Sequence, residues 1–138
     1  MVGSIPISLS GLKAQQQRLL ASASNIANLT TSGPNPASTP DGTSSVYKPL
    51  TVTQKSVSIP NQGGSGTSAT ISQQEDGTTL IFDPQSNFAD SEGLVAIPDI
   101  SLEQEIVGLV TAEIAYKANA FAIKVASEIE DTLIDELA

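Results

Sequence analysis

The stretch SLEQEIVGLVTAEIAYKANAFAIKVASEIEDTLIDELA, Ser101–Ala138, decides the fold. It opens on Ser101-Leu102-Glu103-Gln104, a capping box in which the serine caps and the glutamine three residues on reaches back. Glu103 and Glu105 stand where a helix dipole favours anions, and no proline occurs between them and the end of the chain. Plotted at 100° per residue, Glu113, Lys117, Lys124, Glu128, Asp131 and Asp135 fall on one narrow polar stripe. Leu102, Leu109, Tyr116, Ala120, Ile123 and Ile134 flank that stripe on one side, and Val107, Val110, Ile114, Phe121, Val125 and Ile129 on the other. A helix resting on one core needs a single apolar face about 100° wide, so this pattern predicts a helix covered from two directions. Asp131, Asp135 and Glu136 oppose the dipole at its C-terminal end, where fraying is expected unless a partner covers it.

A second helix is expected at the opposite end of the chain. Ile5, Leu9, Leu12, Leu19, Ala23 and Ile26 are spaced four and three in alternation, with Gln16 in the missing place, which is a heptad seam. Proline is tolerated in a first helical turn, and Thr30-Thr31-Ser32-Gly33-Pro34 is a stop, so the helix should run from about Pro6 to Asn28. Gly11 within it costs about 1 kcal/mol relative to alanine but would let another backbone come close. Residues 1–30 carry Lys13 and Arg18 with no acid, whereas residues 101–138 carry eight acids against two lysines. The two helices are therefore expected to pair with complementary charge, an effect that sets orientation more than stability.

Residues 31–45 are almost entirely Ser, Thr, Gly, Pro, Asn and Asp, the composition of a loop or linker. Leu50–Thr53 and Val57–Ile59 then alternate as strands do, followed by a glycine-rich turn at Gly63–Gly66. Ala69–Ser72 and Thr78–Phe82 flank the turn Glu75-Asp76-Gly77, and Asp83-Pro84 closes the unit. The expected fold is α+β, with long N- and C-terminal helices packed as a coiled-coil-like pair and a small antiparallel β unit between them. The corresponding segments are 1–30, 31–98 and 99–138.

Composition narrows the function. A net charge of −9 over 138 residues is the wrong sign for a nucleic-acid or anionic-membrane ligand. No stretch approaches the roughly 20 apolar residues of a membrane span, so no direct membrane insertion is expected. Met1–Ser10 has no basic residue and is broken by Pro6, unlike a cleavable signal. The chain has no histidine and no cysteine, which removes the commonest general base and the usual zinc ligands. Gly63-Gly64-Ser65-Gly66 lacks the Gly-Lys-Ser/Thr ending of a phosphate loop. Glu75-Asp76, beside Gly77, reads as a solvated hairpin turn rather than a carboxylate pair. No catalytic, cofactor-binding or metal-binding residue is assigned, and no cofactor is expected. Two readings stay open from the residues alone: an assembling subunit, or a module whose helices close on each other while the β unit holds a ligand.

Ser10-Gly11-Leu12, Ala14-Gln15, Arg18-Leu19 and Asn25-Ile26-Ala27-Asn28 resemble the opening signature of the flagellar rod, hook and hook-filament junction proteins. Asp90, Glu92-Gly93-Leu94-Val95-Ala96, Pro98-Asp99-Ile100, Glu105-Ile106-Val107, Ala112 and Ala115-Tyr116-Lys117-Ala118-Asn119 resemble the matching C-terminal signature. Pro98 and the preceding Phe82-Asp83-Pro84 are similar to the proximal-rod type, FlgC. Leu94, Asp99 and Ile114 depart from the residues common at their positions. The resemblance implies a structural subunit of the bacterial flagellar basal-body rod, polymerising through its terminal helices, with the β unit projecting outward. It further implies other rod subunits, copies of itself and the flagellar type III export apparatus as partners. A periplasmic location in the basal body, reached without a cleaved signal, is a further expectation. The candidate assembly interface comprises Leu9, Leu12, Leu19, Ile26 and Asn28 of the first helix. In the second it comprises Leu102, Ile106, Val107, Leu109, Val110, Ile114, Tyr116, Asn119, Phe121 and Ile123.

Overall fold

The computed structural model describes residues 4–39, 46–59 and 64–137. They form α1 (Ser4–Ala27), a 3-10 turn (Pro36–Ser38), β1 (Leu50–Ile59), β2 (Gly64–Gln73), β3 (Thr78–Phe82), β4 (Leu94–Pro98) and α2 (Leu102–Leu137). The fold is α+β: a long helix at each end, with β1 paired to β2 and β3 to β4 in two separate sheets. The turn placed at Gly63–Gly66 is corrected, because β2 already begins at Gly64; Gly63 lies outside the described residues. Glu75-Asp76-Gly77 is a turn, yet it joins strands of different sheets instead of closing a hairpin.

Side-chain bonds close the end of α1 and the start of α2. Asn28 folds back so that its Nδ2 donates to the Ser24 carbonyl at 2.8 Å, and Thr31 Oγ1 donates to the Asn28 carbonyl at 2.8 Å. These side-chain bonds add to the backbone ones that the same carbonyls accept from the N–H groups of Asn28 and Thr31 at the end of α1. At the start of α2, the Gln104 N–H donates to Ser101 Oγ at 3.4 Å, while Ser101 Oγ donates to Glu103 Oε2 at 3.0 Å. The reciprocal arm expected from the Gln104 side chain is replaced by this bond from the Ser101 hydroxyl to the Glu103 carboxylate. Its own backbone N–H, then the Ser101 hydroxyl, hold the Glu103 carboxyl below the ordinary range.

The chain divides into two compact units, one from Met1–Leu20, Val52–Ile71 and Val107–Ala138, the other from Ala21–Thr51 and Ser72–Ile106. The second is built around β4. On one edge β4 runs antiparallel to β3, with Thr78 opposite Pro98, Leu80 opposite Ala96 and Phe82 opposite Leu94. On its other edge Ala96 exchanges two 3.0 Å backbone hydrogen bonds with Gly33. Val95, Ala96 and Pro98 are buried. The expectation that Asp83-Pro84 closes the β unit is therefore corrected by one strand. A strand buried on both faces lacks the alternation that betrays half-buried strands, and Leu94–Pro98 is an unbroken apolar run.

Two polar nodes tie loops to this core. Asp90 Oδ1 accepts from the N–H groups of Glu92 and Leu94 at 2.9 Å each, and Oδ2 accepts from Asn35 Nδ2 at 2.8 Å. The Leu94 N–H, followed by the Asn35 amide, holds the Asp90 carboxyl below its ordinary value. Gly93, inside that turn, has φ +75°, and a Cβ there would stand 2.8 Å from Phe82 Cε2. The second node is Asn25, only 2% exposed. Its Oδ1 accepts from the Tyr47 hydroxyl and the Leu50 N–H, both at 2.8 Å; its Nδ2 donates to the Leu50 carbonyl at 2.9 Å and to Glu105 Oε1 at 2.6 Å. Every donor and acceptor site of the amide is used.

In the first unit the buried side chains are small or polar: Ala14 and Gln15 from α1, Ala112 and Ala126 from α2. The β1–β2 hairpin is anchored where the Thr67 N–H donates to Ser10 Oγ at 3.0 Å. Ser10 in turn donates to the Ile7 carbonyl at 2.6 Å, so one hydroxyl links the helix turn to the strand. From Thr53 to Ser58 the side chains of β1 are exposed, and an isolated two-stranded hairpin is marginal in water.

Candidate assembly surface

The surface begins with the choice of seam in α1. The residues buried along α1 are Ala14, Gln15, Ala21 and Asn25, whereas Leu12, Leu19 and Ile26 are half-buried and Leu9 is exposed. The heptad seam of large residues is thus not the stripe that this chain buries. Gly11 shows why small residues take that role: a Cβ on it would lie 2.5 Å from Oδ1 of Asn119. The neighbour admitted by the glycine is the Asn119 side-chain amide, fixed by its Nδ2 bond to the Ala115 carbonyl at 2.8 Å, and not a backbone as expected. Gln15 Oε1 is buried and accepts no hydrogen bond, for which the surroundings offer no physical account.

Within α2 the division is sharper. Ala112, Asn119 and Ala126 repeat every seven residues on one stripe, to which Leu109, Ile123 and Glu130 are close; the alanines are buried and the other four half-buried. Ala112 is 1% exposed, while Val107, Ile114 and Phe121 are 66%, 64% and 66% exposed. Leu102, Ile106, Val110 and Tyr116 are exposed as well. The two apolar flanks therefore differ. The flank with Leu109 and Ile123 adjoins the buried stripe, and the flank with Val107, Ile114 and Phe121 is open.

By length and composition, Leu102–Glu136 is apolar enough to cross a membrane, an 18-residue window reaching a mean hydropathy of 1.3. This corrects the expectation that no stretch approaches a span. Counting unbroken apolar runs misses it, because Glu113 and Lys117 interrupt the run without lowering the average much. Those two residues form an i,i+4 ion pair on the exposed side of α2, and Lys124 pairs with Glu128 in the same way. These are the ion pairs among the described residues, and none of them joins α1 to α2 as the charge pattern leads one to expect. Lys13 and Arg18 are exposed and enter none.

Reading by periodicity left out several exposed apolar residues. Ile7 and Leu20 in α1, and Leu133 near the end of α2, belong with the open surface. Leu80, Ile81 and Phe82 of β3 are also exposed, Phe82 by 71%. The available signal was three consecutive large apolar residues, which a strand cannot place on one face. Among the described residues, no group of three His, Cys, Asp or Glu could hold a metal ion.

A surface of this kind suits a chain that is covered by others, and known proteins share its sequence pattern. A family described as flagella basal body rod protein matches residues 5–34. The flagellar basal-body rod protein FlgC of Yersinia enterocolitica is 33% identical over 111 residues, 80% of this chain and 78% of that protein. The chain belongs to the FlgC family of flagellar basal-body rod proteins. The FlgC of Aquifex aeolicus is 30% identical over 125 residues, covering 91% of this chain and 88% of the relative. That of Salmonella typhimurium is 28% identical over 129 residues, covering 93% and 89%. As a FlgC-family member, the chain is a structural subunit of the flagellar basal-body rod. The family match at residues 5–34 falls on the buried small-residue stripe of α1 and on Asn25 and Asn28, residues that terminate and anchor that helix.

Proposed function

We propose that the chain enters the rod through its terminal helices, with the open flank of α2 as the principal contact and neighbouring rod subunits, including further copies, as partners. One observation carries this reading: Val107, Ile114 and Phe121 are about two-thirds exposed on a helix whose buried residues are alanines. Covering each of these three side chains contributes about 1 to 2 kcal/mol, enough together for a stable contact once repeated along a polymer. Leu12, Leu19 and Ile26 of α1, half-buried in the chain, are the second contact. Leu9 with Leu102, Ile106, Val110 and Tyr116 extends it, while Asn28, Leu109, Asn119 and Ile123 serve mainly to shape the helices that present it.

In this reading residues 1–30 and 99–138 form the inner, assembling layer and residues 31–98 project from it. The role is mechanical, with no chemistry. The position is proximal in a periplasmic rod, and delivery is by the flagellar export apparatus without a cleaved signal; the support for these is the FlgC kinship. Replacing Ile114 and Phe121 with aspartate tests the contact. Both side chains are exposed, so the purified chain should melt within about 0.5 kcal/mol of the parent. In cells the variant should be missing from isolated basal bodies and motility should be lost. Incorporation at the parental level would refute the assignment of this flank.

A further inference from the structure

We propose that the groove between the start of α1 and β2 receives the acidic end of α2 from a second copy of this chain, a contact that rests on the assembly reading above. The groove has a volume of about 530 Å³, and its lining includes Pro6, Leu9, Lys13 and Gln17 of α1 with Thr67 and Ala69 of β2. Along one side of α1 it presents an apolar residue at Pro6, another one turn on at Leu9, and a cation two turns on at Lys13. The end of α2 covers the same seven-residue span with the opposite charge at its far end, in steps of four and three where α1 has three and four. Ile129, Leu133 and Glu136 lie on one face, exposed, around a shallow depression of about 240 Å³. Laid parallel, the two stripes set apolar against apolar and Glu136 against Lys13.

Among the described residues these two charges are unspent. The ion pairs among the described residues join Glu113 to Lys117 and Lys124 to Glu128, leaving Lys13 without an acid and Glu136 without a base. The last turn of α2 contains no basic residue, so its acids face the negative end of their own helix dipole. A lysine brought against that end relieves both the like-sign field and the unpaired cation. Groove and helix end are different surfaces, so the contact is heterologous: two copies joined this way leave a free groove and a free end, and the series continues as a helical run.

The test uses the full chain in flagellated cells. Lys13→Glu and Glu136→Lys should each lower the amount recovered in isolated basal bodies by roughly tenfold or more, as for an interfacial charge pair set like against like. The swap carrying both should return to within about threefold of the parent. Normal recovery of both single variants, or a swap no better than the worse single, overturns the proposal. Because the chain lacks cysteine, Lys13→Cys in one tagged copy and Glu136→Cys in a differently tagged copy report the partner directly. A disulfide joining the two tags supports the contact; its absence from basal bodies containing both copies overturns it, as does a bond formed within one chain carrying both cysteines. If the parent chain is itself missing from basal bodies, the assembly reading fails. If the parent is present and only these outcomes go against the pair, that reading stands and this contact alone falls.

Discussion

The two compact units solve the same problem, too few large side chains, in opposite ways. The unit around β4 closes itself with polar bonds: Asn25 makes four, the Asp90 carboxylate accepts three, and Gly33 completes the second edge of β4. The unit containing most of α2 buries alanines and turns its valine, isoleucine and phenylalanine outward. The first has spent its hydrogen-bonding groups internally, although β3 leaves Leu80, Ile81 and Phe82 exposed. The second holds its largest apolar groups for something outside the chain. A rod subunit needs both, a part whose shape does not depend on neighbours and a part whose stability does.

The contrast breaks most readily at Asn25. Asn25→Ala strands the Leu50 N–H and carbonyl and removes a donor from the half-buried Glu105 carboxylate, while the Tyr47 hydroxyl keeps Ser24 Oγ at 3.0 Å; the loss expected is about 3 kcal/mol, since each buried unpaired group costs about 1 to 3. Urea denaturation measures it. Native-state hydrogen exchange localises it, with the Ala96 N–H losing protection and the Thr67 N–H in the other unit much less affected. Asn25→Asp sharpens the point: it keeps the two acceptor bonds but sets a carboxylate against Glu105, so part of its loss should be recovered as pH falls. A change below about 1 kcal/mol for Asn25→Ala would mean that this node does not hold the unit together.

Gly11 probes the thin unit. Gly11→Ala gains about 1 kcal/mol of helix propensity and loses about 1 to 3 from the 2.5 Å approach to Asn119 Oδ1, so the net change should be destabilising and near 1. With Asn119→Ala in the same chain the clash is gone, and Gly11→Ala should become stabilising. A double-mutant cycle by thermal melting reads the change of sign. The same sign in both backgrounds would show that the two helices are not spaced by this pair.

Much of the fold is legible in the sequence because it depends on local pattern. Both helices, the Ser101 cap and the strand Thr78–Phe82 are visible in the sequence, and the open flank of α2 is visible as apolar residues beside a charged stripe. The features that escape depend on distant partners. Leu94–Pro98 carries no alternation since it is covered on both faces, and Gly33 joins it from more than sixty residues away. The stripe that α1 buries within the chain escapes for a related reason. Periodicity weighs large residues, whereas the stripe actually buried is chosen by closeness of approach, which favours Gly11, Ala14 and Ala21. Charge complementarity between the helices is a property of the sequence, but the absence of that pairing among the described residues depends on where the folded helices place Lys13 and Arg18.

The smallest expected effect concerns acid, and it falls on the unit around β4. Asp90 is held below the ordinary aspartate value of about 3.9 by the Leu94 N–H and the Asn35 amide. A carboxyl with a depressed folded-state value binds fewer protons folded than unfolded, so its contribution is fully present above the unfolded value and is lost as pH falls through the lower folded one. Exchange protection of the Ala96 N–H should therefore be level from about pH 7 to 5 and decline below about 4. Asp90→Asn should lower that protection at neutral pH and flatten the decline. Glu103 is depressed in the same direction by its own backbone N–H and the Ser101 hydroxyl, so Glu103→Gln is the control: it should alter the fraying of the first turn of α2 and leave the decline at Ala96 in place. If Asp90→Asn kept the full decline, the loop joining Asn35 to Leu94 would owe its place to packing of Val95 and Ala96 alone, and the self-closing unit would resemble its neighbour more than its hydrogen bonds suggest.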